Sequence, residues 1–440
     1  MSSGAVPAAP ASADLNRLIF RKLMPLLIAS YIIAFIDRTN IGLAKAHLEA
    51  DLGISAAAFG LGAGLFFVAY AAFEVPSNLI MHRVGARLWI TRIMITWGLL
   101  SAATAFVQGP ASFYLLRVLL GFAEAGLFPG VMLYLTYWFG REQRARANGY
   151  FLIAVCIANI VGAPLSGALL GLDGVLGWHG WQWMFVLEGI PAVLLAFVVF
   201  TCLPDRPADA KWLTAEQADS LTRRLEAEQR DGAAASGTHS LAGVLKDRKI
   251  LLVILVYFTH QIAVYSLTYF LPSIIGTWGR MSDFTIGLLT ALPWVAAALG
   301  AVFLPRFADT SKRAGRILFG GMVAMAVGLV IAAVSSAVIA LLGFCLAASC
   351  FFVVQSILFA VPASRLAGVA LAGGLALVNT LGILGGFLGP YVMGLIEDST
   401  GSPLSGLWFV IALVAVGALV SLTLRPRDAA QEAETAKAEA

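Results

Sequence analysis

The chain has 440 residues, 60% of them hydrophobic and only 12% charged. Soluble domains carry about 25% charged residues, so this composition excludes a soluble globular protein and requires a chain that crosses a membrane repeatedly. The net charge of +4 is gathered in short segments between apolar runs, which is a topological pattern and not a nucleic-acid footprint.

The start, Met1 to Asn16, is rich in Ala, Ser and Pro and has no basic stretch ahead of a short apolar core, so no cleavable signal is expected. Residues 1–20 read as a disordered cytoplasmic tail. Apolar runs then fall near 22–46, 56–81, 88–108, 112–138, 149–171 and 182–203. After a polar interval come 249–275, 284–305, 315–336, 338–361, 368–396 and 404–424. Each approaches the roughly 20 residues that a helix needs to cross a bilayer. The expectation is an all-α membrane protein with twelve transmembrane helices. The polar interval holds a helix-like stretch, Thr214 to Arg230, followed by Gly, Ala and Ser up to Ser240. It reads as a cytoplasmic linker, 204–247, with an amphipathic helix at the membrane surface. It separates an N-terminal half, 21–203, from a C-terminal half, 248–425, and residues 426–440 form a second tail.

The halves echo one another. The loop after span two carries Asn78-Leu-Ile-Met-His82-Arg83-Val-Gly85-Ala-Arg87, and the loop after span eight carries Asp309-Thr-Ser-Lys312-Arg313-Ala-Gly315-Arg316. A basic, Gly-containing turn at the same place in both halves indicates duplication, a known plan for carriers with a site between two six-span repeats. With both termini inside, 24 of the 29 Lys and Arg residues fall in inner segments, while only Lys45 and Arg280 fall in outer ones. This asymmetry fixes an even number of spans with both ends cytoplasmic.

Several chemistries are excluded. The four cysteines (Cys156, Cys202, Cys345, Cys350) lie in apolar runs without CxxC or Cys/His metal spacing, so no metal is expected and they read as small buried hydrophobes. Gly60, Gly62 and Gly64 mimic a dinucleotide loop but lack its strand and its acid, and close helix packing is the better reading. Gly162 to Gly167 and Gly382 to Pro390 read in the same way. No GxxxxGK[ST] loop occurs, so the chain is not expected to use ATP, and no cofactor is expected. A membrane-bound enzyme or sensor lacks any nucleophile–His–acid set. His47 and His179 fall in outer segments and read as solvated.

Charged residues at membrane depth carry the functional signal, since each costs at least ~2.5–3.5 kcal/mol to insert and marks a site by default. Asp37 and Arg38 sit together in span one, and Arg117 and Glu124 lie in span four. Neighbours on a helix point about 100° apart, so Asp37 and Arg38 face different partners. Arg117 and Glu124 are two turns apart on one face, about 10.5 Å in rise. A guanidinium grips a carboxylate through paired hydrogen bonds, which makes Arg38 the candidate substrate grip. A buried acid balanced between desolvation and a nearby Arg can exchange a proton, which makes Asp37 and Glu124, with Arg117, the candidate proton-coupling set. The alternative for each is a fixed ion pair. Glu74 and Glu188 read as structural hydrogen-bonding groups, and His260 as either structural or cavity-facing.

Over roughly 20–425 the chain resembles the major facilitator superfamily, and within it the anion:cation symporter family. The motifs are Phe35-Ile-Asp37-Arg38-Thr-Asn40, Tyr70 with Phe73-Glu-Val-Pro-Ser-Asn78, and Arg117-Val-Leu-Leu-Gly-Phe-Ala-Glu124-Ala-Gly126-Leu-Phe-Pro129-Gly130. Leu267-Thr-Tyr-Phe-Leu-Pro272 and Leu377-Val-Asn379 add to them. In detail the chain looks most like bacterial tartrate-type transporters. The resemblance implies two pseudo-symmetric six-helix halves and proton-coupled symport of a small hydroxylated carboxylate into the cell, with anion exchange as the alternative. It also implies a monomer in the bacterial inner membrane, substrate-reading groups at Tyr70, Gln261, Tyr265, Thr268 and Asn379, and an inner gate at Arg83, Arg87, Asp309 and Arg313. His82 stands where the superfamily's loop motif has an Asp, which weakens the carry-over of that gate. Ile357-Leu-Phe359-Ala-Val-Pro362 lacks the Trp of sugar-acid carriers, which favours a shorter substrate.

Overall fold

The structure, a computed structural model, describes residues 12–234, 247–307, 311–363, 366 and 368–424. Among these residues the regular secondary structure is helical, with turns and short extended connections between the helices. Eleven helices are long and apolar enough to cross a membrane: Asp14–Leu52, Ala56–Val84, Ala86–Phe106, Pro110–Thr136, Gly149–Leu170, Gly180–Cys202, Arg248–Gly276, Asp283–Arg306, Gly315–Val334, Ala337–Pro362 and Gly373–Thr400. The twelfth, Leu407–Ser421, is shorter than the expected 404–424 because turns flank it on both sides.

Local chemistry sets the boundaries. Ser55 caps span two by accepting the Ala58 N–H, Ser282 caps span eight through the Thr285 N–H, and Pro110 opens span four without losing a hydrogen bond. The first helix begins at Ser12, well inside the expected 1–20 tail, because Leu15 and Ile19 are buried and Phe20 packs on Phe139 at 4.8 Å. Residues 1–11 and the 426–440 tail lie outside the described residues.

The same helix pairs recur in both halves: spans one and five match seven and eleven, two and four match eight and ten, and three and six match nine and twelve. The halves meet through span two against eleven and span five against eight, two contacts that the duplication also exchanges. Four spans are broken near their middles, at Asn40, at Ala125-Gly126, at Cys350 and at Leu384. Between the halves, a helix at Ala215–Ala234 buries Ala218, Leu221 and Leu225, while Trp212 stacks on Trp138 at 5.6 Å. The rest of the expected linker, 235–246, lies outside the described residues.

The face bearing the linker is taken as inner. At the outer face the halves are closed backbone to backbone. A Cβ on Gly60 would meet the Pro390 carbonyl, one on Gly394 the Ala56 carbonyl, and one on Gly167 the Asp283 carbonyl. Cross-half bonds reinforce this closure. Lys45 Nζ lies 2.7 Å from Glu397 Oε1, Ser55 Oγ 2.7 Å from Asp398, and His47 Nε2 3.2 Å from Asp283. His47, expected to be solvated, is therefore partnered, because the helix start at Asp283 folds against it. Lys45, expected in an outer segment, is 2% exposed. Cys202 is exposed at the inner end of span six, unlike the buried Cys156 and Cys350.

Candidate substrate site

Arg38 lies in the last turn of the first helix of span one, two residues before the Asn40 break. Glu124 ends the first helix of span four, where Gly126 adopts a left-handed φ of 92° and any side chain would strike the Ser77 hydroxyl. The two breaks bring these ends together. Arg38 donates to Glu124 Oε2 from Nη2 at 2.6 Å and from Nε at 3.2 Å. Aromatic faces wall the guanidinium, with ring centroids of Phe35, Phe66 and Tyr70 at 4.9, 5.1 and 5.1 Å. Such cation–π contacts favour a desolvated guanidinium.

Arg117 shares the Phe66 ring, 4.8 Å from its centroid, and is 2% exposed. Among the described residues, Arg117 Nε and Nη2 and Glu124 Oε1 make no hydrogen bond of ordinary geometry, and the Tyr269 hydroxyl lies beside the Arg117 guanidinium. An unsatisfied buried donor costs about 1–3 kcal/mol, and more when charged. Thus Glu124, expected two turns from Arg117 on the same helix face, is engaged by Arg38, and Arg117 is the guanidinium with open donors among the described residues. Two buried arginines against one carboxylate leave this group short of negative charge.

Asp37 points elsewhere, as the helical twist requires. It accepts from Trp97 Nε1 at 2.6 Å and from Ser101 Oγ at 3.0 Å, both on span three. Glu188 accepts from Asn40 at 2.7 Å and from Ser166 at 2.7 Å, tying the span-one break to spans five and six.

Tyr70 and Tyr265 lie with the Arg38 group, and Tyr265 also packs on Phe67 at 4.2 Å. Three other candidates are occupied. Thr268 bonds its own helix at Val264, Gln261 meets the His260 ring at 3.1 Å, and Asn379 donates to Glu74 at 3.0 Å. His260 is fully buried and also reaches the Phe351 carbonyl at 2.9 Å, beside the break in span ten. Of the gating candidates, Arg83 and Arg87 are exposed at the inner end, and the Arg87 N–H is held by Asp205 at 2.8 Å. Asp309 lies outside the described residues, as does the side chain of Arg313. Sequence reasoning missed Phe66, Tyr269 and the Lys45–Glu397 pair, and for Glu74, read as a structural hydrogen-bonding group, it missed the partners, Asn379 and Thr380. Phe66 and Tyr269 look like ordinary span residues, and nothing local marks which distant partner a charged residue meets.

A membrane helix bundle of two repeats around buried, unequal charge is the architecture of a transporter. The Major Facilitator Superfamily model matches residues 27–373, and the chain belongs to that family. An Agrobacterium vitis protein bearing the name "Putative tartrate transporter" is 43% identical over 94% of this chain and 96% of its own. The Acinetobacter baumannii "Quinolone resistance transporter" is 40% identical over 96% and 97%. The Escherichia coli (strain K12) "Inner membrane transport protein RhmT" is 38% identical over 92% and 94%. Among solved structures, a D-xylose-proton symporter superposes with a TM-score of 0.75 at 14% identity, covering 92% of this chain and 98% of that one. The chain is thus a multi-pass membrane transporter and not an enzyme.

Proposed function

We propose that this transporter carries a small hydroxylated organic anion of the tartrate type into the cell, driven by protons, as a monomer in the bacterial inner membrane with both termini cytoplasmic. The observation that carries the reading is the buried Arg38–Glu124 pair next to Arg117, which forms no ion pair and leaves Nε and Nη2 without a hydrogen bond among the described residues. A proton on Glu124 weakens its hold on Arg38, and the freed guanidinium then joins Arg117 in gripping the anion. Asp37 is the second proton site. Tyr70, Tyr265, Gln261, Thr268 and Asn379 read the substrate hydroxyls, the last three by exchanging their present partners. Arg83, Arg87, Asp309 and Arg313 belong to the inner gate. The tartrate-named relatives support the substrate class.

The test is uptake of labelled L-tartrate into liposomes holding the purified protein. An inward proton gradient should drive accumulation that a protonophore abolishes, and Glu124→Gln should lose accumulation but keep exchange. Exchange without gradient-driven accumulation in the unaltered protein would make it an anion exchanger. Normal accumulation by Glu124→Gln would remove Glu124 from the coupling.

A further inference from the structure

Glu74 is a buried carboxylate to which the transport reading gives no work. It sits on span two, one turn or about 6 Å inward of Tyr70, and is 5% exposed. Its partners both come from the other half. Asn379 Nδ2 donates to Oε1 at 3.0 Å and Thr380 Oγ1 to Oε2 at 3.3 Å. Among the described residues no lysine, arginine or histidine forms an ion pair with it. An acid kept at membrane depth without a cation is costly, and its two oxygens are instead satisfied by span eleven alone. Below this link, Ala376 on the same face of span eleven is exposed. Above it, Ile383 is 6% exposed.

We propose that Glu74 is the inner latch of the transporter and a stand-in for substrate on Asn379. Its carboxylate fastens span eleven to span two beneath the site. An arriving hydroxylated anion competes for the same amide, so binding loosens the latch and opens the path inward. This second clause rests on the assignment of Asn379 as a substrate-reading group; the latch itself does not.

The experiment labels Ile383→Cys, in a background with Cys156, Cys202, Cys345 and Cys350 replaced by alanine, with a membrane-impermeant maleimide. Applied from the inner side, labelling should rise at least fivefold in Glu74→Ala. It should rise equally when the link is cut from the other side by Asn379→Ala with Thr380→Val, and no further when all three are combined. Glu74→Gln, which keeps the volume and one acceptor, should fall between. Labelling from the outer side should not change, whereas general loosening would raise both. Inner-side labelling within twofold of the parent in both the Glu74 and the Asn379/Thr380 variants overturns the latch, whatever is transported. A chain that moves no L-tartrate yet shows the labelling pattern keeps the latch and loses the substrate assignment. Increased labelling on adding L-tartrate to the parent, absent in Glu74→Ala, supports the competition; no increase in a parent that transports L-tartrate overturns it.

Discussion

Removing Lys45 should tip the transporter toward an outer-open state. Its ammonium is 2% exposed and 2.7 Å from Glu397 Oε1, with Glu49 a longer second partner at 3.9 Å and the Phe270 ring 5.3 Å away. Hydrogen bonds to charged groups contribute about 1.5–3 kcal/mol, which is roughly a ten- to hundredfold shift in an equilibrium. Lys45→Met strands Glu397, whose Oε2 has no hydrogen-bond partner among the described residues, so its effect should lie at the upper end. Glu397→Gln leaves Lys45 its Glu49 contact and should shift the balance less. The readout is labelling of Ala63→Cys, which is fully buried on span two one turn below Gly60, by an impermeant maleimide from the outer side. The two substitutions combined should exceed Lys45→Met alone by less than twofold, since both cut one bond. Unchanged labelling in Lys45→Met, or effects that simply multiply, would refute the view that this pair holds the outer face shut.

Three further outcomes follow from named contacts. Arg117→Lys should raise the KM for transported anion at least tenfold, because a point charge cannot replace a two-pronged fork; a KM near that of the parent in concentration-dependent uptake would remove Arg117 from the site. Gly60→Val should block outer closure, since its side chain would meet the Pro390 carbonyl; transport should be lost while outer labelling at position 63 rises, and retained transport would show that the seal is dispensable. Trp212→Ala removes the stack on Trp138, worth about 0.5–1.5 kcal/mol beyond burial; the melting temperature in detergent should fall by a few degrees with transport retained.

The sequence carried the membrane class, the duplication and the four charged residues at depth, because hydrophobic run length and charge placement are local properties. It did not carry the pairing. Arg38 and Glu124 are 86 residues apart, and helical spacing puts only Arg117, two turns away, on the same face as Glu124. The break at Ala125-Gly126 ends the helix at Glu124 and presents the carboxylate to span one. A left-handed glycine inside a span is hard to foresee among 44 glycines, most of which serve close packing. The burial of Lys45 is hidden in the sequence for a related reason. Near the end of an apolar run it looks like an outer loop residue, and only the approach of span eleven buries it against Glu397.

The charge count at the site makes one more demand on the proposed mechanism. With Glu124 ionised, Arg38 is neutralised, and Arg117 has no ion pair among the described residues. A monoanion then balances the group without any proton on Glu124. A dianion such as tartrate brings one negative charge too many unless Glu124 is neutral, in which case two guanidinium groups face two carboxylates. Asp37 stays outside this count, compensated in place by Trp97 and Ser101. Uncompensated buried charge is strongly disfavoured, so binding of a dianion should require a proton that binding of a monoanion does not. Competition against labelled L-tartrate in binding to the detergent-purified protein tests this. Tartrate affinity should fall about tenfold per pH unit above the point where Glu124 loses its proton in the complex, while a monocarboxylate such as glycerate should compete with little pH dependence. In Glu124→Gln the tartrate dependence should flatten. Equal pH slopes for the two ligands would break the link between Glu124 and the second carboxylate.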